Sequence, residues 1–278
     1  MFAIVNQKGG VGKSTTAINL GAYLAQSATR VLIVDMDPQG NSTSGVGISK
    51  SGLAAATYDV VVGEQRAERA IVSTAIAGLD ILASDVRLAG AEVELVPQIA
   101  REGKLRASLR GVESAYDFVL IDCPPSLGLL TVNALTAAEA CLIPLQCEFY
   151  ALEGLAQLMD TIALVRRHLN PALGVVGIVL TMVDPRTKLS EQVAADVRGH
   201  FPGLVFSTEI PRSVRLAEAP SYGQPVLSYA PSSRGAEAYA ALAKELIARL
   251  AERGGDLRAA ERSHGSAHRT PDERGGIE

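Results

Sequence analysis

The stretch Asn6-Gln7-Lys8-Gly9-Gly10-Val11-Gly12-Lys13-Ser14-Thr15 decides how the rest of the chain is read. A short apolar run, Phe2 to Val5, stops just before it, and a helical pattern from Ala17 to Ala25 begins just after it. Strand, glycine-rich turn and helix, in that order, are the context of a phosphate-binding loop. Glycines let the backbone approach phosphates, successive N–H groups point inward, and the helix N-terminus adds a favourable dipole. Lys13 supplies a point charge for β- and γ-phosphates, and the Ser14 hydroxyl is suited to ligate Mg²⁺. Two positions depart from the plain motif: Gln7 replaces its first glycine, and a second lysine, Lys8, opens the turn. The stretch predicts a nucleoside triphosphate site lined by Lys8, Gly9, Gly10, Val11, Gly12, Lys13, Ser14 and Thr15.

Working outward, Arg30 to Asp35 is a continuous apolar run ending in an acid, the pattern of a strand buried on both faces of a parallel sheet. It leads into Asp35-Met36-Asp37-Pro38-Gln39-Gly40-Asn41, where proline and glycine force a loop and Asn41 or Ser42 is placed to cap a helix. Beside a phosphate loop, an acid here can polarise a water or hold Mg²⁺ through one; alone, the segment reads as an ordinary strand-to-helix turn. Tyr116 to Asp122 repeats the pattern of a buried strand with a terminal acid, followed by Cys123-Pro124-Pro125-Ser126-Leu127-Gly128. That loop reads either as a rigid turn or as a segment that rearranges with the γ-phosphate.

Between Gly45 and Gly111 the chain reads as scaffold, with a short helix at Thr57 to Val62, a strand at Leu79 to Leu82, one or two helices from Leu88 to Leu109, and Ser84 as a polar cap. Apolar runs at Ala140 to Leu145 and Val175 to Leu180 read as further strands, and Leu152 to Leu169 as an amphipathic helix. A helix at Glu191 to Gly199, a short strand near Val205 and a final helix from Ser233 to Arg249 complete the ordered part. This alternation predicts an α/β fold: a mainly parallel twisted sheet with helices on both faces. Residues 1–250 form the predicted domain, and 251–278, rich in Gly, Ser, Arg and Glu, read as a disordered polar tail.

Composition narrows the function. The chain has 278 residues, 47% of them hydrophobic, and a net charge of −4, which opposes whole-surface attraction to nucleic acid but allows a local basic patch. Absence of tryptophan speaks against a base-stacking platform. No apolar run approaches the roughly 18 residues that span a bilayer, and no signal peptide opens the chain. Cys123, Cys141 and Cys147 lack zinc-like spacing and read as reduced thiols of a cytosolic protein.

Four motifs in order carry a resemblance: the Asn6–Ser14 loop, Asp35–Asn41, Tyr116–Ser126, and Ile210-Pro211-Arg212-Ser213-Val214-Arg215-Leu216-Ala217-Glu218-Ala219-Pro220-Ser221. Together they resemble the ParA/Soj partition ATPases, P-loop proteins of the deviant Walker A type, over about residues 1 to 250. The resemblance implies a slow, partner-stimulated ATPase that uses ATP and Mg²⁺ and forms a face-to-face homodimer around two ATP molecules. It implies that Lys8 reaches the partner's nucleotide, that Lys13 binds phosphates in cis, that Asp37 orients the attacking water, and that Ser14, Asp37 and Asp122 attend the metal. Gly12 would lie close to the dimer interface. Met182 and Pro211 match the adenine pocket. Arg186 and Arg215 match positions that bind double-stranded DNA without sequence preference, with Lys188 and Arg212 as neighbours; solvated or structural arginines are the competing reading. A ParB-like centromere-binding protein is the implied partner, the nucleoid the implied location, and no membrane is involved.

Three other classes share parts of the pattern. A MinD-like membrane switch has both lysines but usually carries Gly at the position of Gln7 and ends in an amphipathic helix. P-loop amidoligases phosphorylate a carboxylate substrate on a related fold, and the Asp37–Asn41 loop and the arginine-bearing motif argue against them. A nitrogenase-reductase-like iron–sulfur role requires a cysteine pair, and Cys123 has no convincing second.

Overall fold

Seven strands form one sheet in the computed structural model, which describes residues 1–27 and 29–265, with side chains as far as 252. The strands are β1 (Phe2–Ile4), β2 (Val31–Asp35), β3 (Ile71–Ser73), β4 (Leu79–Leu82), β5 (Phe118–Asp122), β6 (Ala140–Gln146) and β7 (Gly174–Thr181). Their order across the sheet is β3-β4-β2-β5-β1-β6-β7. Every neighbouring pair is parallel except β3 with β4. The predicted mainly parallel α/β fold is therefore the observed one. The antiparallel edge strand β3 lies in the stretch read only as scaffold; three residues are too few to show a period.

Helices α1 (Lys13–Ala25), α2 (Asn41–Gly45), α3 (Thr57–Val62), α4 (Ala67–Ala70), α5 (Leu88–Glu94) and α6 (Lys104–Leu109) precede β5. After it come α7 (Leu129–Ala137), α8 (Ala151–His168), α9 (Lys188–His200), α10 (Val214–Glu218), α11 (Val226–Tyr229) and α12 (Arg234–Gly265). They divide the core in two. Along β1 and the residue that follows it, Ala3 and Val5 enter one cluster, and Phe2 and Ile4 the other. Along β2, Leu32 and Val34 alternate in the same way with Val31 and Ile33. A strand covered on both faces needs an apolar side chain at every position, which is why these runs show no alternation. Each fully buried side chain of this size contributes about 1.5–3 kcal/mol.

On one face α1 lies against α12, with Leu20 and Leu24 in the same cluster as Tyr239, Leu242 and Leu246. Ser233 caps α12 as expected, accepting the Ala236 N–H at 3.3 Å. The helix runs past Arg249, where the sequence reading ends it; Leu257-Arg258-Ala259-Ala260-Glu261-Arg262 are good helix formers, a propensity that a lack of apolar residues does not cancel. The rest of the expected tail, 266–278, lies outside the described residues. The expected strand near Val205 is a single parallel bridge to Ile178. No helix among the described residues is long and apolar enough to cross a membrane.

Register sets up the site. Asp35 of β2 is paired with Asp122 of β5, and Asp122 with Ile4 of β1. The C-terminal ends of these three strands, where α/β sheets hold their ligands, thus converge beside the loop that follows β1.

Candidate functional site

The phosphate loop owes its shape to two glycines. Gly10 (φ 77°) and Gly12 (φ 91°) adopt left-handed backbone that a side chain would strain. For Gly12 the visible constraint is this conformation: an added Cβ would meet nothing closer than Thr181 Cγ2 at 3.9 Å. Gly12 leads into α1, and its carbonyl accepts the Thr16 N–H at 2.8 Å. Lys13 is buried, and its Nζ donates to the Lys8 carbonyl at 3.0 Å. Burial lowers the Lys13 pKa, while the charges of Asp122 and Asp37 work against that shift.

Gly9, Gly10, Gly12, Lys13, Ser14, Thr15, Asp37 and Pro125 line a cavity of about 350 Å³. Lys8 and Val11 do not line it; they face a separate small cavity with Glu148. Pro125 brings the Pro-Pro-Ser loop over the phosphate loop, 3.8 Å from where a Gly9 Cβ would stand.

The acids form a graded set. Asp35, one of the two acids that the sequence places at the end of this strand but to which it gives no role of its own, is fully buried and organises the loop around Asp37. Its Oδ2 accepts the Thr43 N–H at 2.8 Å and the Thr43 hydroxyl at 2.7 Å, and its Oδ1 accepts the Asp37 N–H at 3.2 Å. Ser84, read as a helix cap, instead donates its hydroxyl to the Asp37 carbonyl at 2.8 Å. The cap at α2 is likewise neither Asn41 nor Ser42: Gly40, at φ 60°, occupies that position. Ser42 donates to Asp122 Oδ2 at 2.7 Å.

Burial raises the pKa of Asp35, and the adjacent Asp122 raises it further. Asp122 is raised as well, mainly by burial, with the Ser14 and Ser42 hydroxyls opposing. Its Oδ1 is buried with no hydrogen-bond partner among the described residues. A buried, orphaned carboxylate oxygen beside a serine hydroxyl and a lysine is a donor set that fits a hard divalent cation such as Mg²⁺, directly or through water.

Next to this cavity, and sharing Gly12, Thr15 and Met182 with it, is a second of about 240 Å³. Its walls include Met182, Ile210, Pro211, Leu216 and Tyr239. Both sequence-predicted pocket residues, Met182 and Pro211, are therefore present in an apolar hollow beside the phosphate loop. Met182 has φ 52°, a strained backbone for a residue with a side chain. Tyr239 was missed; its hydroxyl and Thr16 Oγ1 are 3.1 Å apart, which ties α12 to the loop helix.

Arg186, Arg212 and Arg215 come together around a third hollow of about 520 Å³, joined by Arg234 at the start of α12. Lys188, at the first turn of α9, is exposed but does not line it. Arg186 forms a two-pronged pair with Asp184 (2.9 and 2.8 Å), and Arg215 pairs with Glu218 at 2.9 Å. Arg212 and Arg234 make no ion pair among the described residues. Pro211, Arg212 and Ser213 line both this hollow and the apolar cavity. The three cysteines are free and buried, and burial pushes each thiol up.

A family model described as an AAA domain matches residues 1–175. The sporulation initiation inhibitor protein Soj of Bacillus subtilis is 54% identical over 248 residues, covering 89% of this chain and 98% of its own length. The chromosome partitioning protein ParA of Caulobacter vibrioides is 53% identical over 255 residues, covering 91% of this chain and 96% of its own. The chain belongs to the Soj/ParA family. Among solved structures, cobyrinic acid a,c-diamide synthase of Mycobacterium smegmatis with bound ADP and magnesium superposes with a TM-score of 0.78 at 38% identity, covering 88% of this chain and 93% of that one. The cell division ATPase MinD of Pyrococcus furiosus gives 0.74 at 27% identity, covering 90% and 98%.

Of the residues missed, only Arg234 carried a signal, as a basic residue at a capped helix start. Asp35 looked like the last residue of an apolar strand, and Tyr239 like one more core position.

Proposed function

We propose that the chain is an ATP-dependent dimerisation switch that binds double-stranded DNA without sequence preference and hydrolyses ATP slowly to drive DNA partition. One observation carries the reading: the phosphate cavity adjoins an apolar pocket, sharing Gly12, Thr15 and Met182 with it, and that pocket's wall, Pro211 to Ser213, is also the wall of an arginine-lined hollow. In this reading Lys13 and the loop N–H groups hold the triphosphate, and Met182, Pro211, Leu216 and Tyr239 surround the base. Ser14 and Asp122, with Asp37 through water, would hold Mg²⁺, which neutralises phosphate charge when bound. Asp37, fixed by Asp35 and Ser84, orients the water that attacks the γ-phosphate. Lys8 of one protomer stabilises charge at the partner's nucleotide, and the apposed faces exclude water.

Arg186, Arg212, Arg215 and Arg234 neutralise DNA phosphates, with Lys188 at the margin. Pairing two protomers doubles that patch, so weak single contacts become effective together. Membership in a chromosome-partitioning family supports a ParB-like DNA-binding protein as the partner that accelerates hydrolysis, and supports the nucleoid as the working location.

Duplex binding at low salt, compared without nucleotide, with ADP and with Mg²⁺-ATP, tests the reading, alongside dimerisation measured by light scattering. Retention of DNA and a doubled mass with ATP alone are expected; DNA retention indifferent to nucleotide would sink it. Asp37→Ala should keep nucleotide binding and lower turnover by at least about a hundredfold, the scale of a lost water-orienting group. The likeness to cobyrinic acid a,c-diamide synthase favours a second reading, phosphorylation of a small carboxylate. It predicts a phosphorylated or amidated product, which mass spectrometry of reaction mixtures detects and simple ATP hydrolysis does not produce.

A further inference from the structure

The two departures from a plain phosphate loop, Gln7 and Lys8, are both committed to one distant segment. Gln7 Nε2 donates to the Gly154 carbonyl at 3.2 Å and to Gln157 Oε1 at 3.0 Å. Lys8 Nζ pairs with the Glu148 carboxylate. Asn6 Nδ2 donates to the Pro144 carbonyl at 2.8 Å. Three consecutive loop residues are thus docked on 144–157, the end of β6 and the start of α8. A Cβ at Gly154 would stand 3.4 Å from Gln7 Nε2, in ordinary van der Waals contact, so the close approach is set by the Gln7 amide and the helix backbone.

The docking turns the Lys8 side chain away from its own phosphate cavity. Lys8 lines the small cavity with Glu148, Tyr150 and Gly154, while only its backbone carbonyl meets Lys13. The pair is accessible to solvent on both sides, and beside it Phe149 and Tyr150 stand exposed with ring centroids 5.1 Å apart.

We infer that Glu148 is a positioning residue that parks Lys8 on its own chain, so that Lys8 reaches a second nucleotide by exchanging a carboxylate for a phosphate. This rests on the reading of Lys8 as a group that serves the partner's site. An exposed ion pair is weak and solvent-accessible, worth at most about a fivefold factor, so it holds the lysine without locking it. Two such pairs break when two protomers meet. Glu148 therefore sets a threshold against assembly without a γ-phosphate to receive the amine.

Two measurements on the full chain test this. Acetic anhydride labelling of the nucleotide-free protein, read by peptide mass spectrometry, reports the reactivity of Lys8 relative to the exposed Lys188. Glu148→Gln is expected to raise it about fivefold, and Glu153→Gln, in the first turn of α8, to leave it unchanged. With Mg²⁺ and a non-hydrolysable ATP analogue, sedimentation should show the dimer of Glu148→Gln tightened roughly threefold to tenfold. Its nucleotide affinity should stay within about twofold of wild type, which no general loosening of the fold would give. Unchanged Lys8 labelling, or a dimer constant unchanged or weakened in Glu148→Gln, overturns the inference. If wild type and variant both remain monomeric with the analogue, the dimer reading itself fails, and the labelling result still decides whether Glu148 holds Lys8.

Discussion

Asp184 restrains one of the four arginines that line the basic hollow. Its carboxylate accepts two hydrogen bonds from the Arg186 guanidinium, and these hold its pKa down at about 2. A depressed carboxylate keeps its partnership above its unfolded pKa and loses it only as pH falls toward the folded value. From about pH 5 to 8 the pair is therefore fully charged and adds no pH dependence to the proposed DNA binding. Asp184→Asn removes the competitor and should raise duplex affinity by about twofold to fivefold, the scale of one exposed ion pair, in fluorescence anisotropy at fixed salt. A fall in affinity would instead assign Asp184 the task of aiming Arg186. At this scale the sequence located residues where chemistry and chain order coincide: Lys13, Ser14 and Asp37 follow a strand and Asp122 ends one, and the structure sets them near one another. It was not readable for Asp35, because its role comes from register with Asp122, and register is a property of two strands.

Among the elements, α1 couples the phosphate loop to the C-terminal third of the chain. Asn19, one turn beyond Thr15, donates to the Thr15 carbonyl at 2.8 Å and accepts the Val226 N–H of α11 at 2.7 Å. Asn19→Ala leaves the Val226 N–H buried without an acceptor and should cost about 1–3 kcal/mol, visible as a lower urea midpoint. Nucleotide affinity should fall with it, because α11 and the α10 segment behind the apolar pocket lose their tie to the loop helix; unchanged affinity would show that α1 alone holds the site. Elements were the most legible scale. Apolar runs located six of the seven strands, and only β3, with no run long enough to show a pattern, escaped. The end of α12 also escaped, because a segment with few apolar residues to bury can still have the propensity to continue a helix.

For the whole molecule, the net charge of −4 and the arginine hollow are reconciled by geometry: residues from 186, from 212 and 215, and from 234 meet in one place although the chain as a whole repels polyanions. No window of sequence contains them all, so the patch could be assembled only in part from the sequence. If these arginines neutralise phosphates, the logarithm of the binding constant falls linearly with the logarithm of salt concentration. Each contact removed flattens the slope by about 0.9. Arg234→Ala should show that change in a salt titration, twice over if the binding species is a dimer, and Lys188→Ala a smaller one. An unaltered slope for Arg234→Ala would place the DNA elsewhere.

The strip Pro211-Arg212-Ser213 faces an apolar pocket on one side and the arginines on the other, and so has two potential occupants. Whatever conformational freedom the strip loses to the first occupant need not be lost again to the second. Thermodynamic linkage then makes the traffic two-way: the factor by which nucleotide tightens DNA must equal the factor by which DNA tightens nucleotide. Titrating each ligand in the presence of the other measures both factors. On this view the DNA surface is also an allosteric effector, and a chain resting on DNA is one that lets go of its nucleotide more slowly.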